Sequence, residues 1–173
     1  MDKYLIVVDM QKDFVDGALG TPEAQAVVPA VRAKIEAHGG PVIFTRDTHG
    51  PEYLQTQEGR FLPVEHCIRG TEGWEIVPEL RDLAARPGAR IIDKPSFGST
   101  VLAAVLTEER DKIESVELIG LCTDICVVSN ALMIKAALPE VPLSVDSACC
   151  AGVTPGKHEA ALETMRSCQI TVK

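Results

Sequence analysis

Three side chains with complementary chemistry each follow an apolar segment of this 173-residue chain. Asp9, Lys94 and Cys126 lie at or shortly after the ends of short runs that have the composition of buried strands. If those strands are parallel, their carboxyl ends meet at one edge of a sheet. A thiol, a carboxylate and an ammonium group placed together suit acyl transfer. In that reaction the cysteine attacks a carbonyl, the carboxylate carries the proton and the lysine stabilises negative charge.

The position of the cysteine in its turn makes it a candidate nucleophile. Asp124 is predicted to cap the helix that follows, which places Cys126 in the first turn, where free N–H groups favour negative charge. This position predicts a lowered thiol pKa, and an oxyanion hole formed by the N–H of Cys126 and another N–H of the turn. A buried cysteine without chemistry is the alternative. Solvated charges are the alternatives for the other two side chains, and Asp13 and Asp16 are rival carboxylates.

A second group of side chains has the chemistry of metal ligands and lies in the long polar segment between residues 46 and 73. Asp47, His49, Glu58 and His66 offer hard oxygen and nitrogen donors. Zinc, iron or manganese would each fit such a mixed set. Loops of this length are usually functional or disordered, and ordinary polar loop chemistry is the alternative. A second hydrolytic hypothesis is a metal-activated water that acts without the cysteine.

The elements that must position these groups alternate between strands and helices along the chain. The predicted strands are Tyr4–Val8, Pro41–Thr45, Arg90–Asp93, Val116–Gly120, Leu143–Val145 and Ile170–Val172. The predicted helices are Pro22–His38, Trp74–Arg86, one from the Ser99 cap through Leu106, one after Asp124, and one that starts at Thr154-Pro155. This alternation predicts an α/β fold, with a three-layer, doubly wound, mainly parallel six-stranded sheet and helices on both faces, as in Rossmann-like folds. One domain over residues 1–173 is expected.

Charge and composition exclude several classes of partner. The net charge of -8 argues against nucleic acid and against an anionic membrane surface. No apolar run has the length of a membrane span. The first residues run straight into a strand without the cleavage region of a signal peptide, so a cytoplasmic location with reduced thiols is expected.

Five motifs, in this order along the chain, resemble the isochorismatase-like cysteine hydrolase superfamily, and within it the nicotinamidase and pyrazinamidase branch. They are IVVDMQKDF at residues 6–14, FTRDTHG at 44–50, HCIRGTEG at 66–73, DKPSFGST at 93–100 and GLCTDICV at 120–127. The resemblance implies the isochorismatase-like hydrolase fold. It also implies a metal-assisted cysteine amidohydrolase that converts a small amide, with nicotinamide as the leading substrate, to its acid and ammonia through a thioester.

The resemblance also implies a role for each reactive residue. Asp9 corresponds to the general base, Lys94 to the catalytic lysine and Cys126 to the nucleophile of the family. The family usually has a cis peptide before the nucleophile, which falls here between Leu121 and Cys122. The N–H groups of Cys122 and Cys126 are then expected to form the oxyanion hole.

The metal ligands and the substrate pocket follow from the same resemblance. Asp47, His49 and His66 correspond to the metal ligands of nicotinamidases, and Glu58 to a fourth ligand of some bacterial members. Zinc is the expected metal, with iron or manganese as alternatives. In nicotinamidases the metal binds the pyridine nitrogen and selects the ring, whereas isochorismatases proper act without it. The residues expected to line the substrate pocket are Phe14, Leu19, Tyr53 and Leu121.

The chain departs from the nicotinamidase pattern at two positions. Thr48 and Pro63 stand where that branch commonly has aromatic residues. A ring-stacking pocket would therefore draw on Phe14, Tyr53, Phe61 or Trp74. Two alternatives stay open: hydrolysis of another small amide, ureido or vinyl-ether substrate, and a non-catalytic metal-binding or thiol redox-sensing module. The expected partners are a small amide substrate and further copies of the chain in a homo-oligomer, with neither nucleic acid nor membrane.

Overall fold

A single parallel sheet forms the centre of the computed structural model, which describes residues 1–173. Its strands are β1 (Asp2–Val8), β2 (Val42–Asp47), β3 (Arg90–Lys94), β4 (Ile113–Leu121), β5 (Leu143–Ala151) and β6 (Thr171–Val172). They lie in the order β3-β2-β1-β4-β5-β6, and every pair is parallel. The predicted fold class is confirmed. The strand order reverses between β1 and β4, and ligands of doubly wound sheets bind outside the carboxyl ends of the strands at such a point.

Helices cover both faces of the sheet. They are α1 (Lys12–Val15), α2 (Pro22–Ala37), α3 (Gln57–Phe61), α4 (Arg81–Ala84), α5 (Thr100–Glu108), α6 (Val128–Ala137) and α7 (Pro155–Ser167). Because successive residues of a strand point to opposite faces, β1 feeds two cores. Leu5 and Val7 pack in the core that contains α2, whereas Ile6 and Val8 pack in the core of α5, α6 and α7. Burial on both faces explains the unbroken apolar run of β1.

Side-chain caps begin the helices at predicted positions. The Ser99 hydroxyl accepts a hydrogen bond from the N–H of Leu102 at the start of α5, and the Thr154 hydroxyl accepts one from Lys157 at the start of α7. Pro155 occupies the first position of α7, where a missing N–H costs nothing. Both predicted helix starts are confirmed.

The predicted helix Trp74–Arg86 is wrong. The chain there forms two 3₁₀ turns, Glu72–Trp74 and Pro78–Leu80, followed by the four-residue α4. Pro78 explains the break, because a proline disfavours helical geometry at the residue before it. Val77 is accordingly extended, with φ -53° and ψ 143°.

Asp124 does not cap a helix, contrary to the prediction. It lies inside a π-helical turn, Thr123–Val127, and α6 begins only at Val128. Its Oδ1 instead accepts a hydrogen bond of 2.9 Å from the N–H of Val153. The carboxylate therefore joins the turn that carries Cys126 to the segment after β5.

Strand β5 extends six residues further than predicted, from Val145 to Ala151. Its neighbour β4 continues to Leu121, so Cys150 pairs with Gly120 and Ala151 with Leu121. No helix of the chain has both the length and the apolar character that crossing a membrane requires.

Candidate active site

The carboxyl edge of the sheet brings the three predicted reactive side chains together. Lys94, the last residue of β3, places its Nζ 2.7 Å from Asp9 Oδ2 and 3.5 Å from Cys126 Sγ. The exposed fractions are 0% for Asp9, 1% for Lys94 and 4% for Cys126. Lys94 Nζ also donates to the carbonyl of Ser96 at 2.9 Å and lies 3.3 Å from Asp47 Oδ1. The ammonium group is thus the common partner of the thiol and both carboxylates.

Thr45 on β2 orients the Asp9 carboxylate. Its hydroxyl donates a hydrogen bond of 2.6 Å to Asp9 Oδ1, and its carbonyl accepts one of 3.2 Å from the Asp9 N–H. Asp9 has φ +46°, a left-handed conformation in which aspartate is enriched among non-glycine residues, and which turns the chain at the end of β1. Apart from the ion pair with Lys94, Asp9 Oδ2 has no hydrogen-bond partner. This oxygen is therefore available to accept a proton.

The turn that carries Cys126 begins at a close approach between β4 and β1. Gly120 has φ +113°, and a Cβ there would collide with the carbonyl oxygen of Val8, so only glycine fits. The peptide bond between Leu121 and Cys122 is cis, as the resemblance implies. The N–H of Cys122 donates to no other protein group, which leaves it available to an oxyanion.

Burial and mutual charge set the protonation states of the three groups. Burial raises the pKa of Asp9, although the Lys94 ammonium opposes the shift. Burial acts to lower the pKa of Lys94, but the charges of Asp9, Cys126 and Asp47 raise it above its ordinary value. The pKa of Cys126 is raised well above its ordinary value by burial and by Asp9. The predicted lowering of the thiol pKa is wrong, because the sequence does not reveal that the thiol is buried against a carboxylate.

The four predicted metal ligands converge beside this group. Asp47, His49, Glu58 and His66 each direct one ligand atom into a cluster whose atoms all lie within 4.8 Å of one another. His49 Nε2 lies 2.9 Å from Asp47 Oδ2, and His66 Nε2 lies 3.6 Å from the same oxygen. Glu58 Oε1 lies 3.6 Å from His49 Nε2 and 3.7 Å from His66 Nε2. Two carboxylate oxygens and two imidazole nitrogens suit zinc, iron or manganese.

Neighbouring groups hold the two histidines of the cluster in fixed orientations. His66 Nδ1 donates to the carbonyl of Val64 at 2.8 Å, so Nε2 is the ring nitrogen that faces the cluster. The Tyr53 ring packs against both imidazoles, with centroids 4.7 Å from His49 and 4.9 Å from His66. Burial opposes ionisation of Asp47, but hydrogen bonds with His49 and His66 and the charge of Lys94 hold its pKa below the usual range. An ionised Asp47 is the form that binds a cation.

Gln11 fixes Asp47 through its backbone, a role that the sequence did not reveal. The Gln11 side chain donates a hydrogen bond of 2.8 Å to the Asp47 carbonyl and accepts one of 2.7 Å from the Asp47 N–H. These are the two backbone bonds that a neighbouring strand would make. The same side-chain amide donates a second hydrogen bond, of 2.9 Å, to the Trp74 carbonyl. Its place two residues after Asp9, inside the first motif, is the one sequence signal that points to it.

The thiol and three of the four residues of the metal cluster line one cavity of about 50 Å³. We call it the inner cavity; its lining residues are Phe14, Leu19, Asp47, Glu58, Leu62, His66, Phe97, Cys122, Ile125 and Cys126. An open outer cavity of about 740 Å³ continues from it past Glu58, Leu62, Phe97 and Ile125. The inner cavity has room for a few ordered waters.

The predicted pocket residues divide into two groups. Phe14 and Leu19 line the inner cavity, whereas Tyr53 and Leu121 do not. Tyr53 is buried behind the histidines, where its hydroxyl donates to the carbonyl of Leu62 at 2.9 Å, and Leu121 is buried in the core of α2. The wall of the inner cavity also contains Leu62, Phe97 and Ile125, which were not among the predicted pocket residues, because three segments distant from one another in the chain form this wall.

The rival carboxylates and the other aromatics have different roles. Asp13 accepts from the N–H of Cys67 at 2.8 Å, and exposed Asp16 forms an ion pair with Lys12 at 3.2 Å. The guanidinium carbon of Arg46 lies 3.7 Å from the centroid of the Trp74 ring. The indole N–H of Trp74 donates a hydrogen bond to the Thr48 hydroxyl. Phe61 lines only the outer cavity. None of these groups competes with Asp9 or stacks in the inner cavity.

Comparisons with known proteins place this site in a family. The isochorismatase domain family matches residues 3–173. An uncharacterised isochorismatase family protein of Bacillus subtilis, PncA, is 32% identical over 146 residues, which cover 76% of this chain and 78% of that protein. The pyrazinamidase of Pyrococcus horikoshii in complex with zinc is 29% identical with a TM-score of 0.84, over 100% of this chain and 99% of that one. A pyrazinamidase/nicotinamidase of Streptococcus mutans is 27% identical with a TM-score of 0.86, over 99% of each chain. The chain therefore belongs to the isochorismatase family and is a nicotinamidase-like hydrolase.

Proposed function

We propose that this protein is a metal-assisted cysteine amidohydrolase that converts nicotinamide to nicotinate and ammonia. The observation that carries the proposal is the position of Lys94 Nζ, 2.7 Å from a buried carboxylate and 3.5 Å from a buried thiol that lines the same cavity as three of the four metal-ligand side chains. Family membership supports amide hydrolysis, and the names of the two solved relatives support a pyrazinamide or nicotinamide type of substrate.

The chemistry of the three groups gives two half-reactions. The Cys126 thiol attacks the amide carbonyl, while Asp9 Oδ2 accepts the thiol proton and transfers it to the leaving nitrogen, so that ammonia departs and a thioester forms. Water then attacks the thioester, Asp9 takes its proton, and that proton returns to the Cys126 sulfur as the acid leaves. A raised pKa makes Asp9 the stronger proton acceptor, and the Lys94 ammonium stabilises the anionic partners.

The backbone and the cluster position the substrate. The N–H of Cys122, with that of Cys126, is proposed to bind the developing oxyanion. Asp47, His49, Glu58 and His66 would hold a divalent metal, proposed to be zinc. When bound, the metal would supply a Lewis acid for a ring nitrogen and so orient the ring.

Ammonia release from nicotinamide by the wild type and by Cys126→Ala tests the proposal. Only the wild type should release ammonia. Equal release by both proteins would contradict the mechanism, whereas release by neither would contradict only the substrate. Complete iodoacetamide alkylation of Cys126 adds a second test, because full activity after alkylation would favour a metal-activated water instead.

A further inference from the structure

Asn130 on α6 is a buried polar residue to which the proposed chemistry gives no role. Its exposed fraction is 1%. Its Oδ1 accepts from the Ser99 N–H at 2.9 Å, and its Nδ2 donates to the carbonyls of Phe97 at 3.1 Å and Cys126 at 2.8 Å. A buried amide is costly unless it is paired, and these bonds use both its donors and its acceptor. One side chain thus joins the nucleophile turn to the segment that follows β3.

That second segment, residues 95–99, carries two further parts of the site. The Ser96 carbonyl accepts the hydrogen bond from Lys94 Nζ at 2.9 Å, and the Phe97 side chain forms part of the wall of the inner cavity. The segment packs directly on α6, because a Cβ at Gly98 would collide with the Met133 sulfur. Its position relative to Cys126 therefore depends on contacts with α6, and its polar contacts there come from Asn130.

We propose that Asn130 is a positioning residue that sets the distance of the Cys126 sulfur from Lys94 and from the Phe97 wall. This inference rests on the proposed function, since the thiol, the ammonium and the wall act together only in that reaction. When the two hydrogen bonds that Asn130 donates are lost, no side chain links the carbonyl of Phe97 to the carbonyl of Cys126. The substrate ring and the attacking sulfur then lose their common alignment, and misplacements of about 1 Å can cost about 100-fold in rate.

The test compares Asn130→Ala and Asn130→Leu with the wild type. Asn130→Leu keeps a side chain of similar reach without adding a charge but lacks both donors and the acceptor, so it carries the test if Asn130→Ala fails to fold. Ile134→Val is the matched control, because it removes a buried methyl group from the same helix and leaves all three hydrogen bonds in place. In both Asn130 variants kcat for nicotinamide should fall about 100-fold, and in the control it should not.

Alkylation provides a readout that does not depend on amide hydrolysis. Iodoacetamide and the aromatic iodoacetanilide are applied separately, and modification of Cys126 is followed by peptide mass spectrometry with exposed Cys168 as internal reference. The Asn130 variants should change the ratio of the two rates at Cys126, with the aromatic reagent losing more, while Cys168 is unaffected.

Unchanged kcat together with an unchanged rate ratio in a folded Asn130 variant would overturn the inference. An equal loss in Ile134→Val would also overturn it, because the effect would then follow stability alone. If the wild type releases no ammonia from nicotinamide, the proposed substrate fails, yet the rate ratio still decides the role of Asn130.

Discussion

Replacement of Asp9 by asparagine separates the two effects of its carboxylate on Cys126. The carboxylate raises the pKa of the thiol, and it is the group proposed to take the thiol proton during attack. Asp9→Asn removes the charge and keeps the shape, so the Thr45 hydroxyl and the cavity wall should stay in place. We expect the variant to have a more reactive thiol and to be a far poorer amidase.

The size of the loss follows from the position of the carboxylate. A positioned general base contributes about 10² to 10⁴ in rate, so ammonia release should fall by that factor. Removing one partner of a buried ion pair costs about 3 to 5 kcal/mol of the free energy of unfolding. Lys94 keeps a second carboxylate, Asp47, at 3.3 Å, so we expect the lower end of that range.

The reactivity of the Cys126 thiol should rise in the same variant in which the amidase activity falls. Asp9 raises the pKa of Cys126 and Lys94 lowers it, so Asp9→Asn removes the larger of the two carboxylate charges that oppose the effect of Lys94. The pH profile of iodoacetamide alkylation at Cys126 should therefore move to lower pH, with modification of Cys168 as reference. Thr45→Val is the control, because it removes the hydrogen bond to Asp9 but keeps the charge. A profile that stays in place or moves to higher pH, or amidase activity within tenfold of wild type, would refute this reasoning.

Two further predictions concern the metal cluster and the stability of the fold. Gln11→Ala removes both side-chain hydrogen bonds to the Asp47 backbone and should weaken metal binding about 10- to 100-fold, measured by competition with a chelator; unchanged affinity would contradict this role. Burial opposes ionisation of Glu117, but Lys173 and Lys34 hold its pKa below the ordinary 4.5. Its stabilisation is therefore present above the unfolded-state pKa and is lost as the pH falls through the folded-state value. Thermal unfolding between pH 6 and pH 3 should show a smaller acid-induced fall in Tm for Glu117→Gln than for wild type, and equal falls would contradict the assignment.

Local patterns in the chain were sufficient to predict the sheet and the position of its site. The unbroken apolar run of β1 predicted a buried strand, and the Ser99 and Thr154 caps predicted two helix starts, because these signals depend on neighbours in the chain. The elements predicted wrongly are those where distant residues compete. Pro78 divides a predicted helix, β5 is extended by pairing with β4, and Asp124 bonds to Val153 instead of capping α6.

The order of residues along the chain was enough to place a reactive side chain at each of three strand ends: Asp9 after β1, Lys94 on β3 and Cys126 after β4. Tertiary structure decided their electrostatics, because the pKa of the thiol depends on its burial and on a carboxylate 117 residues away in the chain. It also decided the cavity walls, which include Phe97 but not the expected Tyr53. Residue identity is local information, whereas burial, charge proximity and cavity shape exist only after segments distant in the chain have packed together.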